Sequence, residues 1–220
     1  MHYAEFATAT NFSFLRGASQ PRDLVLQALL LGHRGIGIAD RNTVAGVVRA
    51  YSALEELRRE GVIPPEKLRD GGGPGEFVWQ EAPQPGGDDG DPAQLRRRAQ
   101  NFKLAVGTRL VFTDETPDIL AYPENRAGWG RLTRLLTIGN ARAKKGDCIL
   151  NFDDLLEDTH DLLLVVMPDR RLETLECVLR RLNEAAQGSV WLAAHMLRRG
   201  DDRRHLAKLK TISSATRVPL

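Results

Sequence analysis

The sequence has few cysteines and no long apolar run. Its two cysteines, Cys148 and Cys177, lie far apart and fit no metal-ligand spacing, which excludes a disulfide framework and is typical of a reducing compartment. No stretch of about 18 apolar residues could span a bilayer, and the first residues lack the basic region and apolar segment of a signal peptide. We therefore expect a cytoplasmic protein with no membrane partner.

A strong net charge is also missing. The formal charge is +2, although 27% of the residues are charged. So small a net positive charge does not by itself predict nucleic-acid binding. Such binding would need a local patch of positive charge. The apolar content of 42% is ordinary for a globular protein, and 220 residues suffice for one large domain, so we assign residues 1–220 to a single domain.

Several common catalytic motifs are absent. There is no Walker-type Gly-Lys-Thr loop, no G-x-S-x-G elbow and no G-x-G-x-x-G after a strand. Metal-dependent phosphoester hydrolysis needs several ligands that converge on one cavity, but the histidines fall mostly on predicted loops and helices. These histidines are His2, His33, His160, His195 and His205.

Apolar strands alternate with amphipathic segments, which indicates a parallel α/β architecture. After an opening strand near residue 7, the predicted strands are 35–39, 104–112, 119–122, 162–167 and 190–194. The predicted helices are one capped by Ser19 and ended by Gly32, one over 43–59 with Val48 and Tyr51 on its buried stripe, an arginine-rich helix after residue 123, and helices over 171–186 and 201–216.

Two stretches depart from this alternation. Residues 61–100 are rich in glycine and proline, which predicts a surface insertion without regular structure except for a short piece that Phe77 to Trp79 could dock. The last residues, Val218-Pro219-Leu220, look like the start of another strand, so we expect a fragment of a longer chain.

The segment from Arg126 to Lys145 carries six positive charges and no acidic residue. Such a segment could contact phosphates or an acidic partner, or it could be a solvated or internally paired helix. Elsewhere, Asp40 at a strand end could cap the next helix or bind a metal, and we interpret Asp153-Asp154 as a helix start. The six cations are Arg126, Arg131, Arg134, Arg142, Lys144 and Lys145.

Several motifs together resemble the N-terminus of the bacterial error-prone C-family DNA polymerases, which are relatives of the polymerase III alpha subunit. The resemblance runs essentially from end to end. Its motifs are the string from Thr10 to Ser19 (TNFSFLRGAS), Asp40 to Ala50, Leu120 to Pro123, Gly130 to Leu132, Leu135 to Thr137, Lys144 to Cys148 and Arg198 to Arg204.

The resemblance implies a polymerase and histidinol phosphatase (PHP) domain, a distorted seven-stranded βα barrel whose last strand would lie beyond Leu220. Active members hold a metal cluster through His-x-His, Asp-His and later strand-end ligands. Here Ala7 and Ala9 stand at the His-x-His positions, Asp40-Arg41 at Asp-His, and Arg109 at a glutamate. Alanine has no donor, and a guanidinium ~4 Å from a dication would cost about 8 kcal/mol at an effective dielectric constant near 20. We expect no metal or catalytic residue here, and Arg41 or Arg109 paired with Asp40 instead.

The resemblance therefore implies a structural or docking domain without activity of its own. The parent would be a nucleotidyltransferase that uses Mg²⁺ held by a later palm domain and copies damaged DNA during replication and repair. Expected partners are the rest of the polymerase chain, DNA, accessory mutagenesis proteins and the sliding clamp. Two alternatives stay open: a metal-dependent phosphoesterase or 3′-5′ exonuclease, and an interaction module that binds through residues 61–100 or the cationic segment.

Overall fold

The computed structural model describes residues 3–62, 91–169, 172–195, 198 and 200–220. Most of the predicted insertion, including Phe77 to Trp79, lies outside these residues, as do His2 and Arg199. The described chain forms two units. Unit 1 comprises residues up to Ile38 together with Ala45–Ala105, and unit 2 comprises Ala39–Val44 and Val106–Leu220. No helix among the described residues is long and apolar enough to cross a membrane.

The described residues form six strands and seven helices. The strands are β1 (Ala4–Thr8), β2 (Gly35–Arg41), β3 (Lys103–Leu110), β4 (Ile119–Pro123), β5 (Leu162–Val166) and β6 (Val190–Leu192). The helices are α1 (Pro21–Leu30), α2 (Val47–Glu60), α3 (Pro92–Asn101), α4 (Arg126–Arg142), α5 (Phe152–Leu156), α6 (Leu175–Ala185) and α7 (Asp202–Thr216). The α/β class predicted from the sequence is confirmed, whereas the described residues do not confirm a seventh strand.

The strands follow the order β1-β2-β3-β4-β5-β6 in one mixed sheet, so the parallel α/β architecture predicted from the sequence holds in part. Strand β1 is parallel to β2, and β5 is parallel to β6. Strand β4 is antiparallel to both β3 and β5. The reason lies in the connection between β3 and β4, which is a polar turn too short to hold the helical crossover that parallel neighbours require.

In unit 1, arginine side chains of α2 and α3 donate hydrogen bonds to the C-terminal ends of neighbouring helices. Arg58 on α2 donates to the carbonyl oxygens of Ala99 (3.1 Å) and Phe102 (3.0 Å) at the end of α3. Arg98 donates to the last carbonyls of α1, and Arg96 donates to the carbonyl of Arg58. The guanidinium groups therefore donate to carbonyls at the C-terminal ends of the helices, and two of these carbonyls, Leu29 O and Ala99 O, also accept a backbone N–H.

Unit 1 corrects three sequence-based predictions. Residues 92–101 are a helix, so only part of the 61–100 range could lack regular structure, and Asp91 caps α3 by accepting from Ala93 N. Helix α1 begins after Gln20 rather than at Ser19. On α2, Val48 is 70% exposed and Tyr51 is 55% exposed, while the buried face uses the small residues Ala50 and Ala53. Val47 and Leu54 are buried as periodicity predicts, whereas Val48 and Tyr51 face solvent.

Unit 2 contains the larger apolar core. Strand β5 is buried at alternate residues, which fits a strand whose two faces meet different surroundings. At the end of the chain, Leu192 N donates to Pro219 O at 2.8 Å, and Val218 is buried in this core. The residues predicted to begin another strand therefore lie beside β6. The core residues that α4, α6 and α7 supply include Leu132, Leu135, Leu136, Val178, Leu179, Leu182 and Leu209.

Candidate functional site

The end of β2 brings Asp40, Arg41 and Asn42 into unit 2. Asp40 is completely buried, and its carbonyl oxygen accepts a hydrogen bond from Thr108 Oγ1 at 2.7 Å. The same hydroxyl oxygen accepts from Thr43 N at 3.2 Å. Thr108, itself buried, thus holds the backbone on both sides of Arg41 and Asn42. Arg41 is exposed.

Asn42 joins the end of β2 to the end of β3. Its side chain donates to Val111 O (3.0 Å) and accepts from Val111 N (2.8 Å), while its backbone N–H donates to Arg109 O (3.0 Å). The side-chain amide therefore forms with Val111 the pair of hydrogen bonds that the backbone of a neighbouring strand would form. Asn42 has a φ of 48°, a left-handed conformation that asparagine adopts more readily than most residues. This role of Asn42 was not predicted, although an asparagine after a strand end is a known turn signal.

Arg109, expected to stand where a glutamate ligand would be, forms an ion pair with Asp118. Arg109 Nε donates to Asp118 Oδ2 at 2.6 Å across the β3–β4 hairpin. Both side chains are mostly buried, at 28% and 20% exposure. We expected Arg41 or Arg109 to pair with Asp40. The hairpin brings Asp118 to Arg109 instead, and pairing of Arg41 with Asp40 stays a prediction. A sequence signal existed, since Asp118 ends the polar turn just before β4.

Ala7 and Ala9 lie in unit 1, at the end of β1. Ala7 is exposed and Ala9 is half-buried. A methyl group offers no lone pair, and an arginine side chain is a permanent cation that does not coordinate metals. Among the residues that the structure describes, no three His, Cys, Asp or Glu side chains are grouped so that they could hold a metal ion. The residues at these positions therefore do not supply the donors that a metal cluster requires.

The turn after β1 has a tightly packed backbone and an apolar tip. Thr10 and Ser13 are buried, and Ser13 O accepts from the backbone N–H of Arg16 and of Gly17. A Cβ at Gly17 would lie 2.3 Å from Thr10 O, so only glycine fits there. The apolar tip consists of Phe14 and Leu15. These side chains are 83% and 89% exposed, and Leu15 has a left-handed φ of 61°.

The six predicted cations of the α4 segment fall into two groups. Arg131 pairs with Asp158 (2.9 Å) and Asp161 (2.7 Å), and Arg142 pairs with Asp154 (2.6 Å). The other four are exposed, and within the described part of the chain no carboxylate lies within 4.0 Å of their charged groups. They are Arg126, Arg134, Lys144 and Lys145.

The Arg142–Asp154 pair also fixes the start of α5. Asp154 Oδ2 accepts from Arg142 Nη1 and, at 2.8 Å, from Asn151 N, so the predicted role of Asp153-Asp154 at a helix start is confirmed for Asp154. The hydrogen bond from Arg142 is the largest cause that lowers the pKa of Asp154 below its usual value, and the Asn151 N–H acts in the same direction against the effect of burial.

Comparison with known proteins shows which proteins the chain is similar to. No protein-family model matches the chain. It is 42% identical over 219 residues to the error-prone DNA polymerase of Rhodopseudomonas palustris (strain BisB5), which covers 99% of this chain and 16% of the relative. The chain is homologous to one segment of the error-prone DNA polymerases. It is also 41% identical over 225 residues to the error-prone DNA polymerase of Bradyrhizobium sp. (strain ORS 278) and 38% over 220 residues to that of Brucella abortus. The chain thus spans about a sixth of these polymerases.

Among solved structures, the chain is similar to a protein of Bifidobacterium adolescentis assigned as a metal-dependent phosphoesterase. The TM-score is 0.58 at 15% sequence identity, over 99% of this chain and 85% of that protein. At this identity the similarity shows a shared fold. It agrees with the PHP-type fold expected from the sequence.

Proposed function

We propose that the chain is the PHP domain of an error-prone DNA polymerase, has given up metal-dependent hydrolysis, and serves the polymerase as a structural and docking domain. The observation that carries this proposal is the donor set: alanines at positions 7 and 9, and an arginine at position 109 that is engaged by Asp118. In the proposal the full domain is a distorted seven-stranded barrel, and the parent enzyme works in the cytoplasm.

The parent activity in this proposal is nucleotidyl transfer to DNA during damage-induced mutagenesis, translesion synthesis, repair and replication. That reaction takes two Mg²⁺ ions held by carboxylates, which the proposal assigns to the rest of the polymerase. The 220-residue chain alone is then inactive in primer extension. Accessory mutagenesis proteins and the sliding clamp are the further partners of the whole enzyme.

The apolar tip supports the docking role. A leucine in left-handed backbone conformation costs roughly 1–2 kcal/mol, and water-exposed phenylalanine and leucine side chains add apolar surface that a partner would cover. The turn around Gly17 holds Phe14 and Leu15 in this arrangement. We assign the rest of the polymerase chain as the partner, because five-sixths of the relatives' length lies outside the homologous segment.

A chimeric polymerase tests the docking role. This chain would replace the homologous segment of the Rhodopseudomonas palustris enzyme, and primer extension would be measured after a mild heat challenge. The chimera should be active, and the double variant F14S/L15S should lose activity at least fivefold faster. The control L31S changes another exposed leucine, 63% exposed at the end of α1, and should behave like the parent chimera. Equal behaviour of F14S/L15S and L31S would contradict the docking role.

A second candidate function is hydrolysis of phosphoesters, which the fold shared with the assigned phosphoesterase favours. Phosphatase and 3′-5′ exonuclease assays of the 220-residue chain with added Mn²⁺ or Zn²⁺ decide between the two. We expect rates at the level of a heat-denatured control. Metal-dependent turnover that follows the protein through purification would favour the phosphoesterase.

A further inference from the structure

We refer to the four exposed cations of the α4 segment, Arg126, Arg134, Lys144 and Lys145, together as the α4 cationic surface. Arg126 and Arg134 lie eight residues apart on α4, with exposed Gly130 between them at helical spacing. Eight residues of helix span about 12 Å. Lys144 and Lys145 follow directly after the end of α4 at Ala143. The surface therefore runs along the helix and past its C-terminal end.

Small side chains separate these cations. The exposed uncharged residues of this stretch are Ala127, Gly130, Thr137, Asn140 and Ala141, whose side chains are all short. Because none of them projects far, a partner could approach the helix closely along this side. From residue 126 to residue 145 the chain has no acidic side chain that would repel an anionic partner.

Ion pairs distinguish the other two cations of the segment from these four. Arg131 and Arg142, which the sequence could not distinguish from the other four, are each held by carboxylates at 2.9 Å or less. Their charges are therefore compensated within the protein. The α4 cationic surface keeps about four uncompensated charges, and these are available for a ligand with regularly spaced negative charges.

We infer that the α4 cationic surface binds the phosphate backbone of double-stranded DNA without reading its sequence. The choice of DNA over an acidic protein rests on the proposed function as a polymerase domain. Each DNA strand presents one phosphate per roughly 3.4 Å of helix axis, so a surface more than ~12 Å long faces several phosphates. Arginine and lysine contacts of this kind hold the protein on the duplex and carry no sequence information.

Fluorescence anisotropy of the 220-residue chain with a labelled duplex, measured between 25 and 200 mM salt, tests this inference. The variant R126A/R134A/K144A/K145A should bind at least tenfold more weakly at low salt. Four lost phosphate contacts should also reduce the slope of log K against log salt by about 3 to 4. Binding should be the same for two duplexes of unrelated sequence.

The control is a variant with the same change in net charge. Helix α7 and its start carry four exposed cations, and R203A/R204A/K208A/K210A should bind DNA within twofold of the unchanged chain and keep its salt slope. Circular dichroism and thermal melting of both variants report folding.

Three results would overturn the inference. They are no binding of the unchanged chain at 25 mM salt, equal losses in both fourfold variants, and tighter binding of polyglutamate than of DNA. The last result would identify an acidic protein as the partner. The metal and hydrolysis measurements that test the proposed function do not depend on DNA binding, so the two ideas can fail separately.

Discussion

Arg109 and Asp118 form an ion pair of 2.6 Å across the β3–β4 hairpin, at a position where active members of the fold are expected to carry a glutamate ligand. The pair gives the arginine a structural partner within its own hairpin. A cation at this position is thus both unable to bind a metal and already compensated. Arginine at position 109 thus supplies a contact within the hairpin and no metal ligand.

Removing Asp118 should destabilise unit 2. In D118N the guanidinium of Arg109 keeps its charge in a largely buried position without a carboxylate, so we expect the free energy of unfolding to fall by about 1–2 kcal/mol. Urea denaturation measures this change. The double variant R109M/D118N should recover part of the loss, giving a coupling energy of about 1 kcal/mol. Additive effects of the two single changes would contradict a direct interaction.

Arg58 should contribute more to the stability of unit 1 than its neighbour Arg59. The Arg58 side chain donates to the carbonyls of Ala99 and Phe102, whereas the Arg59 side chain pairs only with the carboxylate next to it in sequence. We expect R58A to lower the free energy of unfolding by about 1–3 kcal/mol and R59A to change it by less than about 0.5 kcal/mol. Thermal melting of R58A and R59A at two salt concentrations measures these effects. Equal decreases in melting temperature for the two variants would contradict the capping role of Arg58.

Acid should weaken the Arg142–Asp154 contact. Because the folded protein lowers the pKa of Asp154 below its usual 3.8, this carboxylate stabilises the fold above that pH and loses its contribution as the pH falls through the lower, folded-state pKa. The stability advantage of the unchanged protein over D154N should be constant from pH 5 to 7 and shrink below about pH 4. Urea denaturation at each pH measures it.

The control for this pH dependence is D153N, which changes the adjacent carboxylate, whose side chain is 80% exposed. It should differ little from the unchanged protein at every pH. Other carboxylates whose pKa the fold lowers, such as Asp114 and Asp158, are present in both proteins and cancel in the difference. A stability advantage over D154N that stays constant down to pH 2 would show that the ion pair does not contribute.

Strand and helix positions could be predicted from the sequence because each depends on local patterns. The apolar runs at β2, β4 and β5 and the end of α1 at Gly32 are found where they were predicted. Antiparallel pairing of β4 was missed because it depends on the length of the connection before it. Helix α3 was missed because glycine and proline just upstream hid a short helix that is stabilised by packing against α2.

The sequence indicated which residues lie at the candidate site, but not which side chains they contact. Sequence motifs pointed to Asp40, Arg41 and Arg109, but pairing across a hairpin decides that Arg109 meets Asp118. In the same way, the sequence predicted a cationic helix, while contacts with Asp154, Asp158 and Asp161 determine which arginines are compensated. Partners far apart in sequence are brought together only by the fold.

Metal stoichiometry tests most directly whether this chain lacks the donors for a metal. The 220-residue chain would be incubated with Mn²⁺, Zn²⁺ or Fe²⁺, separated from free metal by gel filtration, and measured by elemental analysis. We predict less than about 0.1 equivalent of each metal per chain, unchanged in R109E, because Ala7 and Ala9 still offer no donor. One or more equivalents in the unchanged chain would contradict the account.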